Sequence, residues 1–143
     1  MTLVPDASVV IKWFVPEVHS DAARTLLDGD HHFIAPDLVF AEVANTLWKK
    51  ARRGEITSDQ ADALLDDLGR TSIEGIPSRD LVDDALMIAL RTGCSVYAAL
   101  YLAAAARLET VMVTADDRLV ESVRKFPLLA VHVEHVARFG GRI

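Results

Sequence analysis

The chain contains 143 residues, of which 51% are hydrophobic and 25% are charged, and its formal net charge is −6 at pH 7. This length predicts one compact domain over residues 1–143, since domains commonly contain ~100–150 residues. The acidic balance argues against binding of nucleic acid through overall charge, so any such contact must be local. No apolar run approaches the ~20 residues of a membrane span and no signal peptide is recognisable, so we expect a soluble, cytoplasmic protein. The single cysteine, Cys94, excludes an intrachain disulfide.

The first elements place an acid directly after an apolar run. Residues 3–5 predict a short buried strand, and residues 8–14 predict a helix with Lys12 on its outer side. Asp6 stands between them. Its carboxylate can cap the helix, or it can lie in the ligand crevice that open α/β sheets form at the carboxyl ends of their strands. This stretch alone leaves both interpretations open.

Short apolar runs and amphipathic segments alternate along the rest of the chain. Further strands are predicted at residues 33–35, 71–76, 111–113 and 129–133. Further helices are predicted at residues 20–27, 38–53, 57–68, 79–92, 95–107 and 117–125. The helix at 95–107 is apolar on nearly every side, which predicts burial. The predicted N-caps are Asp37, Thr57, Ser78 and Ser95, and the predicted helix ends are Gly54 and Gly93.

This alternation predicts an α/β fold with a mainly parallel sheet covered by helices on both faces, because parallel strands need crossover connections. In such a sheet Asp6 and Asp116 both follow the carboxyl ends of strands. We therefore expect their side chains to lie at one edge of the sheet. Two acids at that edge already suggest a metal.

Glu42 is the third candidate acid, and it lies near the start of the helix predicted at 38–53. There it shares a polar stripe with Asn45 and Lys49, beside a predicted apolar stripe of Ala41, Ala44, Trp48 and Ala51. Its structural alternative is an acid that favours the positive end of the helix dipole. Three converging carboxylates would repel one another unless a cation binds, and oxygen ligands suit magnesium or manganese. Such a site suits phosphodiester hydrolysis.

Three segments together resemble the PIN-domain nucleases, particularly the toxins of VapBC toxin–antitoxin pairs. They are Asp6-Ala7-Ser8-Val9-Val10-Ile11-Lys12, Ala35-Pro36 followed by Glu42-Val43-Ala44-Asn45-Thr46-Leu47, and Val113-Thr114-Ala115-Asp116-Asp117-Arg118-Leu119. The resemblance covers nearly the whole chain. It implies a PIN-like α/β/α sandwich and a magnesium-dependent endoribonuclease, in which manganese is an alternative metal. It also implies a homodimer, a cognate antitoxin that covers the active site, and a structured RNA substrate such as tRNA.

The resemblance also assigns roles to residues by matching position. Asp6, Glu42 and Asp116 become the acidic catalytic and metal-binding residues, and Thr114 and Asn45 become supporting groups. Asp117 becomes either an additional supporting carboxylate or a helix N-cap, with the cap favoured.

One position departs from the family pattern. Where the family has an aspartate after a tyrosine, the chain has Tyr97 followed by Ala98. Loss of this carboxylate is expected to weaken metal affinity and catalysis without harming folding. The sequence leaves open whether the alanine is an inactivating substitution or a natural change, with the former favoured.

Other classes fit less well. A phosphatase of the two-aspartate type needs a second carboxylate at the position of Ser8, and a receiver domain needs paired acids before its first helix. A binding protein remains a second hypothesis: a PIN fold that partners an antitoxin without cleaving RNA. Four aromatic side chains are candidate anchors for a partner, although a core role is favoured for them: Trp13, Phe14, Phe40 and Trp48.

Overall fold

The protein is described by a computed structural model over residues 1–140. Five strands form one sheet in the order β3-β2-β1-β4-β5, and every neighbouring pair is parallel. The strands are β1 (Thr2–Pro5), β2 (His32–Pro36), β3 (Ile73–Ile76), β4 (Met112–Thr114) and β5 (Val133–His135). The predicted α/β class is confirmed.

Within residues 1–140, eight α-helices lie between the strands. They are α1 (Ala7–Phe14), α2 (Ser20–Asp28), α3 (Leu38–Arg52), α4 (Ser58–Arg70), α5 (Val82–Thr92), α6 (Val96–Arg107), α7 (Asp117–Val123) and α8 (Pro127–Ala130). Two 3₁₀ turns complete the described chain, at Ser78–Asp80 and Val136–Phe139.

The strand order fixes where the helices lie. From β1 the chain moves outward to β2 and β3, and it then crosses to β4 on the other side of β1. Right-handed crossovers therefore place α1 to α4 on one face of the sheet and α5 to α8 on the other. Helix α6 packs against β1, β2 and β4, and its residues 99–105 are all buried. The prediction of a buried helix is confirmed.

Several local predictions at helix ends are also confirmed. Thr57 and Gln60 form both hydrogen bonds of a capping box at the start of α4. The Ser95 hydroxyl accepts from the Ala98 N–H at the start of α6. Gly54 and Gly93 follow helices with φ angles of 76° and 83°, which favour glycine.

Lys12 does not face outward as predicted but is buried, with 8% of its surface exposed. Its Nζ lies 2.9 Å from Glu17, whose second carboxylate oxygen lies 3.2 Å from Lys50 Nζ. The turn after α1 supplies this partner, which the helical pattern of α1 cannot reveal.

Helix α3 turns a different stripe to the core than the sequence predicts. The buried side chains are Val39, Val43 and Leu47, while the predicted stripe of Ala41, Ala44, Trp48 and Ala51 is partly or fully exposed. The larger aliphatic side chains bury more apolar area than alanines do. Trp48 is 54% exposed, and the Arg52 guanidinium lies 5.3 Å from its ring centroid.

The four candidate aromatic anchors differ in burial. Trp13 belongs to the core, where it packs against Phe33 and donates to the Ala23 carbonyl. Phe14 is partly buried against that core. Phe40 and Trp48 are exposed.

Two predicted caps act differently. Asp37 precedes α3 but makes no cap bond with it; its carboxylate accepts from the backbone N–H and the hydroxyl of Ser78. The Ser78 hydroxyl in turn accepts from Leu38 N–H, so Ser78 helps to cap α3 and begins a 3₁₀ turn. Leu81 holds the N-cap position of α5.

The prediction of a last strand at residues 129–133 is wrong. Pro127 begins the short helix α8, as its fixed φ angle favours, and β5 starts only at Val133. The apolar run is only partly covered: Val131 is 66% exposed, whereas Leu129 and Val133 pack against the core.

Over residues 1–140, no single helix is long and apolar enough to cross a membrane. Helices α5 and α6 meet that length and composition only as a pair, which is bent by 114° at the break between them.

Candidate active site

The candidate site lies where the order of the sheet reverses. Strands β1 and β4 are neighbours, yet the chain leaves β1 in one direction and reaches β4 after a crossover to the other side. Parallel α/β sheets form their ligand crevices at the carboxyl ends of the strands at such a switch point. Asp6 follows β1 directly, and Asp116 follows β4 by two residues.

Asp6 is held by hydrogen bonds on several sides. Its Oδ1 accepts from the Ser8 hydroxyl and from Val9 N–H at 3.3 Å, so that it caps α1, and Thr114 is hydrogen bonded to it as well. Burial raises the pKa of Asp6 from 3.8 to about 6, and the charge of Glu42 adds to the rise while these hydrogen bonds oppose it. The cap role is confirmed, and it leaves the carboxylate beside a second acid.

Two hydroxyl groups join the loop after β1 to the loop after β4. Ser8 Oγ accepts from Ala115 N–H at 3.0 Å while it donates to Asp6. Thr114 Oγ1 accepts from Asp116 N–H at 3.0 Å. The positions of Asp6 and Asp116 are therefore fixed relative to each other through hydroxyl and backbone groups.

Asp116 is the N-cap of α7, and its Oδ1 accepts from Arg118 N–H at 3.0 Å and from Leu119 N–H at 3.3 Å. The prediction that Asp117 is the cap is wrong. Asp117 is the first residue of the helix, and its side chain is 93% exposed, with Oδ1 3.1 Å from His135 Nε2.

Glu42 is engaged by a tyrosine from the opposite face of the sheet. The Tyr101 hydroxyl donates to Glu42 Oε1 at 2.6 Å. Burial raises the pKa of Tyr101 above its usual range, and the bond to Glu42 and the charges of Glu42 and Asp6 raise it further. Tyr101 is therefore protonated, and a donor, throughout the pH range in which proteins work.

The three predicted acids share one cavity of about 260 Å³. Its lining residues are Asp6, Ala7, Ser8, Glu42, Ser95, Tyr97, Ala98, Tyr101 and Asp116. Ala98 thus faces the cavity. Asn45 instead lines an adjoining groove of about 550 Å³ that also contains Lys49 and shares Ala7, Ser8, Glu42 and Tyr97. Thr114 is fully buried, and its side chain is hydrogen bonded to Asp6.

The donors in this cavity suit a hard cation. Carboxylates and hydroxyls line it, and no lysine or arginine is among its described lining residues. Within residues 1–140, no group of three or more His, Cys, Asp or Glu side chains is arranged to hold a metal ion. Magnesium needs fewer protein ligands than that, since it keeps several waters and commonly binds through one or two carboxylates plus substrate phosphates. The chemistry of the donors therefore fits magnesium with an incomplete set of protein ligands.

Sequence reasoning gave no site role to Ser8 or to Tyr101. Ser8 follows an acidic N-cap by two residues, which is a spacing for local side-chain hydrogen bonds. Tyr101 lies on a helix that the sequence predicts to be buried, and a buried tyrosine hydroxyl needs a partner. Those two signals were available, but the partner Glu42, 59 residues away, was not.

A parallel sheet with acidic side chains gathered at its switch point defines an α/β protein with an acidic crevice. The chain belongs to the PIN domain family, whose model matches residues 3–125. Over 131 residues it is 36% identical to Ribonuclease VapC3 of Pyrobaculum aerophilum, and the alignment covers 90% of this chain and 98% of that protein.

Two solved structures are similar in fold. The crystal structure of PAE2754 from Pyrobaculum aerophilum matches with a TM-score of 0.69 at 21% identity, covering 99% of this chain and 100% of that one. The structure of VapBC2 from Rickettsia felis, bound to a DNA fragment from their promoter, matches with a TM-score of 0.64 at 13% identity, covering 94% and 98%. At these identities the likeness concerns the fold alone.

Proposed function

We propose that this chain is an endoribonuclease toxin of a type II toxin–antitoxin pair, which hydrolyses RNA phosphodiester bonds with Mg²⁺ or Mn²⁺, and that Ala98 weakens its activity. The observation that carries the proposal is the shared cavity of Asp6, Glu42 and Asp116 at the switch point of the sheet. The similarity to Ribonuclease VapC3 supports RNA as the substrate.

Asp6, Glu42 and Asp116 are the residues that would hold the metal. The bound cation would offset negative charge that builds up on the phosphoryl group and favour ionisation of a bound water. Ser8 and Thr114 orient Asp6, and Tyr101 orients Glu42, so that these two carboxylates need little rearrangement. Hydrolysis adds a water oxygen to phosphorus and breaks the bond from phosphorus to the leaving ribose oxygen.

The adjoining groove supplies groups that suit an RNA backbone. Asn45 and Lys49 lie one turn apart on α3, and Tyr97, which lines both cavities, is 63% exposed. Because the net charge is −6, phosphate contacts must come from local groups such as Lys49. Asn45 acts here as a contact to substrate. A structured RNA such as tRNA is the proposed substrate class.

The proposed partners are a cognate antitoxin, whose segment covers the acidic cavity, and a second copy of the chain in a homodimer; the proposed location is the cytoplasm. A cavity lined by three acids attracts a basic segment, which supports the antitoxin.

The test is cleavage of a panel of structured RNAs, including tRNAs, by the purified chain with Mg²⁺ or Mn²⁺ and with EDTA. We expect slow, EDTA-sensitive cleavage that Asp116→Asn abolishes. Cleavage that persists in EDTA or in Asp116→Asn contradicts the proposed site.

A second candidate function is that of a non-catalytic binding protein, and it is favoured by one observation, the Ala98 methyl at a cavity position where the family has a carboxylate. Antitoxin binding without cleavage of any RNA in the panel supports this alternative.

A further inference from the structure

Tyr101 connects three elements that meet at the candidate site. The residue lies on α6 and is 2% exposed, and its hydroxyl donates to Glu42 Oε1 of α3 at 2.6 Å. A backbone hydrogen bond also joins it to Ala7, the first residue of α1 and the neighbour of Asp6. The hydroxyl therefore sits between the backbone beside one acid and the carboxylate of another.

The direction of these bonds is fixed. A backbone N–H can only donate, so the Tyr101 oxygen accepts from Ala7, and the single hydroxyl proton is directed to Glu42. An O–H bond to an ionised carboxylate is among the stronger hydrogen bonds. Glu42 Oε1 is thus committed to Tyr101, and Oε2 is the oxygen free of that bond.

We infer that Tyr101 is a positioning residue that presents Glu42 to a cation through one oxygen, and that it thereby favours Mg²⁺ and Mn²⁺ over Ca²⁺. The inference rests on the proposed function, because it assumes a divalent cation in the acidic cavity. Tyr101 acts through Glu42 and contacts neither the cation nor the RNA.

The preference follows from the different demands of the cations. Mg²⁺ takes six ligands in an octahedron and accepts single carboxylate oxygens together with water. Ca²⁺ takes six to eight oxygens and often binds both oxygens of one carboxylate. A hydroxyl bonded to Oε1 competes with the second of these contacts. Removing that hydroxyl frees Glu42 to bind through both oxygens, which helps Ca²⁺ more than Mg²⁺.

The experiment compares Tyr101→Phe with the unaltered chain by titration calorimetry with MnCl₂ and CaCl₂ in the absence of RNA. We expect the ratio of Mn²⁺ to Ca²⁺ affinity to fall roughly tenfold in Tyr101→Phe, as is usual when a group that orients a metal ligand is removed. Thr71→Val is the control, since it removes a hydroxyl that donates to the Asp67 carbonyl at the end of α4, outside both cavities, and its ratio is expected to stay within twofold. A merely structural role of Tyr101 would weaken both cations equally.

A second measurement covers the case in which Tyr101→Phe does not fold. The chain has two tyrosines, so incorporation of 3-fluorotyrosine into the Tyr97→Phe background alters Tyr101 alone. The fluorinated hydroxyl is a stronger donor. We therefore expect the preference for Mn²⁺ over Ca²⁺ to rise relative to the Tyr97→Phe protein without fluorine.

The outcomes separate this inference from the proposed function. An unchanged ratio of Mn²⁺ to Ca²⁺ affinity in both Tyr101→Phe and the fluorotyrosine protein overturns the inference, even where the chain cleaves RNA. Failure of the unaltered chain to bind either cation also overturns it. A shifted ratio without RNA cleavage supports the inference and counts against the nuclease proposal alone.

Discussion

The Ser8 hydroxyl donates to the Asp6 carboxylate and accepts from the Ala115 backbone N–H at 3.0 Å. One side chain thus supports the first acid of the candidate site and fastens it to the loop that carries the third. Ser8 thus links the carboxyl end of β1 to the carboxyl end of β4. These hydrogen bonds also contribute to the stability of the fold, because the groups involved are partly or fully buried.

Replacing Ser8 with alanine tests this link. Ser8→Ala leaves the Ala115 N–H without that partner and removes a bond to Asp6, and each buried group so affected costs ~1–2 kcal/mol. We expect the free energy of unfolding, measured by urea titration, to fall by roughly 1–3 kcal/mol. The control is Ser122→Ala, because the Ser122 hydroxyl only donates to the Leu119 carbonyl within one helix. Equal losses in the two variants would refute a special role for Ser8.

Asp6 gives the protein a pH-dependent stability. Burial is the main cause that raises its pKa from 3.8 to about 6 in the folded state. Between these values the folded chain holds more protons on this group than the unfolded chain does. The contribution of Asp6 to stability is therefore fully present below pH 3.8 and is lost as the pH rises through about 6.

Asp6→Asn keeps the cap acceptor but removes the charge, so we expect it to stabilise the metal-free protein at pH 7.5. The rise of the Asp6 pKa from 3.8 to about 6 corresponds to an upper limit of about 3 kcal/mol. The gain is expected to shrink as the pH is lowered to 5, measured by urea titration at both values. The same variant is expected to abolish binding of Mg²⁺ or Mn²⁺, and an unchanged metal titration would remove Asp6 from the ligand set.

The sequence predicted the site better where the residues follow strands than where they come from helices. Asp6 and Asp116 follow apolar runs, and the geometry of parallel sheets brings such positions together whatever the details of packing. The partnership of Tyr101 with Glu42 depends on how two helices on opposite faces tilt toward the edge, which periodicity does not encode. A one-residue shift of a helix start leaves little trace in sequence, so the sequence favours Asp117 as the cap although Asp116 holds that position.

Elsewhere, propensity was outweighed by tertiary contacts. The helical pattern predicts that Lys12 faces solvent, but Lys12 is buried because Glu17 supplies a partner in the turn beyond the helix. The apolar run at residues 129–133 predicts a strand, but Pro127 starts a helix there, and Leu129 packs against the core while Val131 remains exposed. Both errors arose because a pattern of apolar residues identifies a face without identifying what covers it.

The contact between Lys12 and Glu17 leads to a prediction about stability. Burial of Glu17 raises its pKa, but the hydrogen bonds and charges of Lys12 and Lys50 outweigh that effect and hold the pKa below its usual range. Glu17→Gln leaves the buried Lys12 ammonium without its counter-charge, so we expect a loss of roughly 1–3 kcal/mol at pH 7 in urea titrations, below the ~3–5 of fully buried pairs.

The pH dependence of that loss identifies its cause. A lowered pKa means that the contribution of Glu17 is present above its ordinary pKa and is lost as the pH falls through the lower folded value. The difference between Glu17→Gln and the unaltered chain is therefore expected to diminish in acid. Glu121→Gln is the matched control, because Glu121 and Arg124 form an exposed pair with side chains about 70% accessible. Such pairs contribute ~0–1 kcal/mol. A cost of Glu17→Gln no larger than that of the control would contradict the buried-pair argument.

Ala98 offers the sharpest test of the nuclease proposal. It faces the acidic cavity one turn before Tyr101 on α6, so that Ala98→Asp directs a further carboxylate toward Asp6 and Glu42. Without metal the added charge is expected to lower stability by about 1 kcal/mol through repulsion. With Mg²⁺ or Mn²⁺ we expect tighter cation binding and an increase in RNA cleavage on the order of tenfold or more, since an added ligand secures the metal.

Ala98→Asn is the control for Ala98→Asp, because it has the same shape without the charge. It is expected to leave cleavage near the level of the unaltered chain. Gel-resolved cleavage of the RNA panel, paired with calorimetric titration of the metal, separates two outcomes. If Ala98→Asp binds the cation tightly but remains as inert as the asparagine variant on every structured RNA, then the fold serves binding, and the nuclease proposal fails even though its metal site is complete.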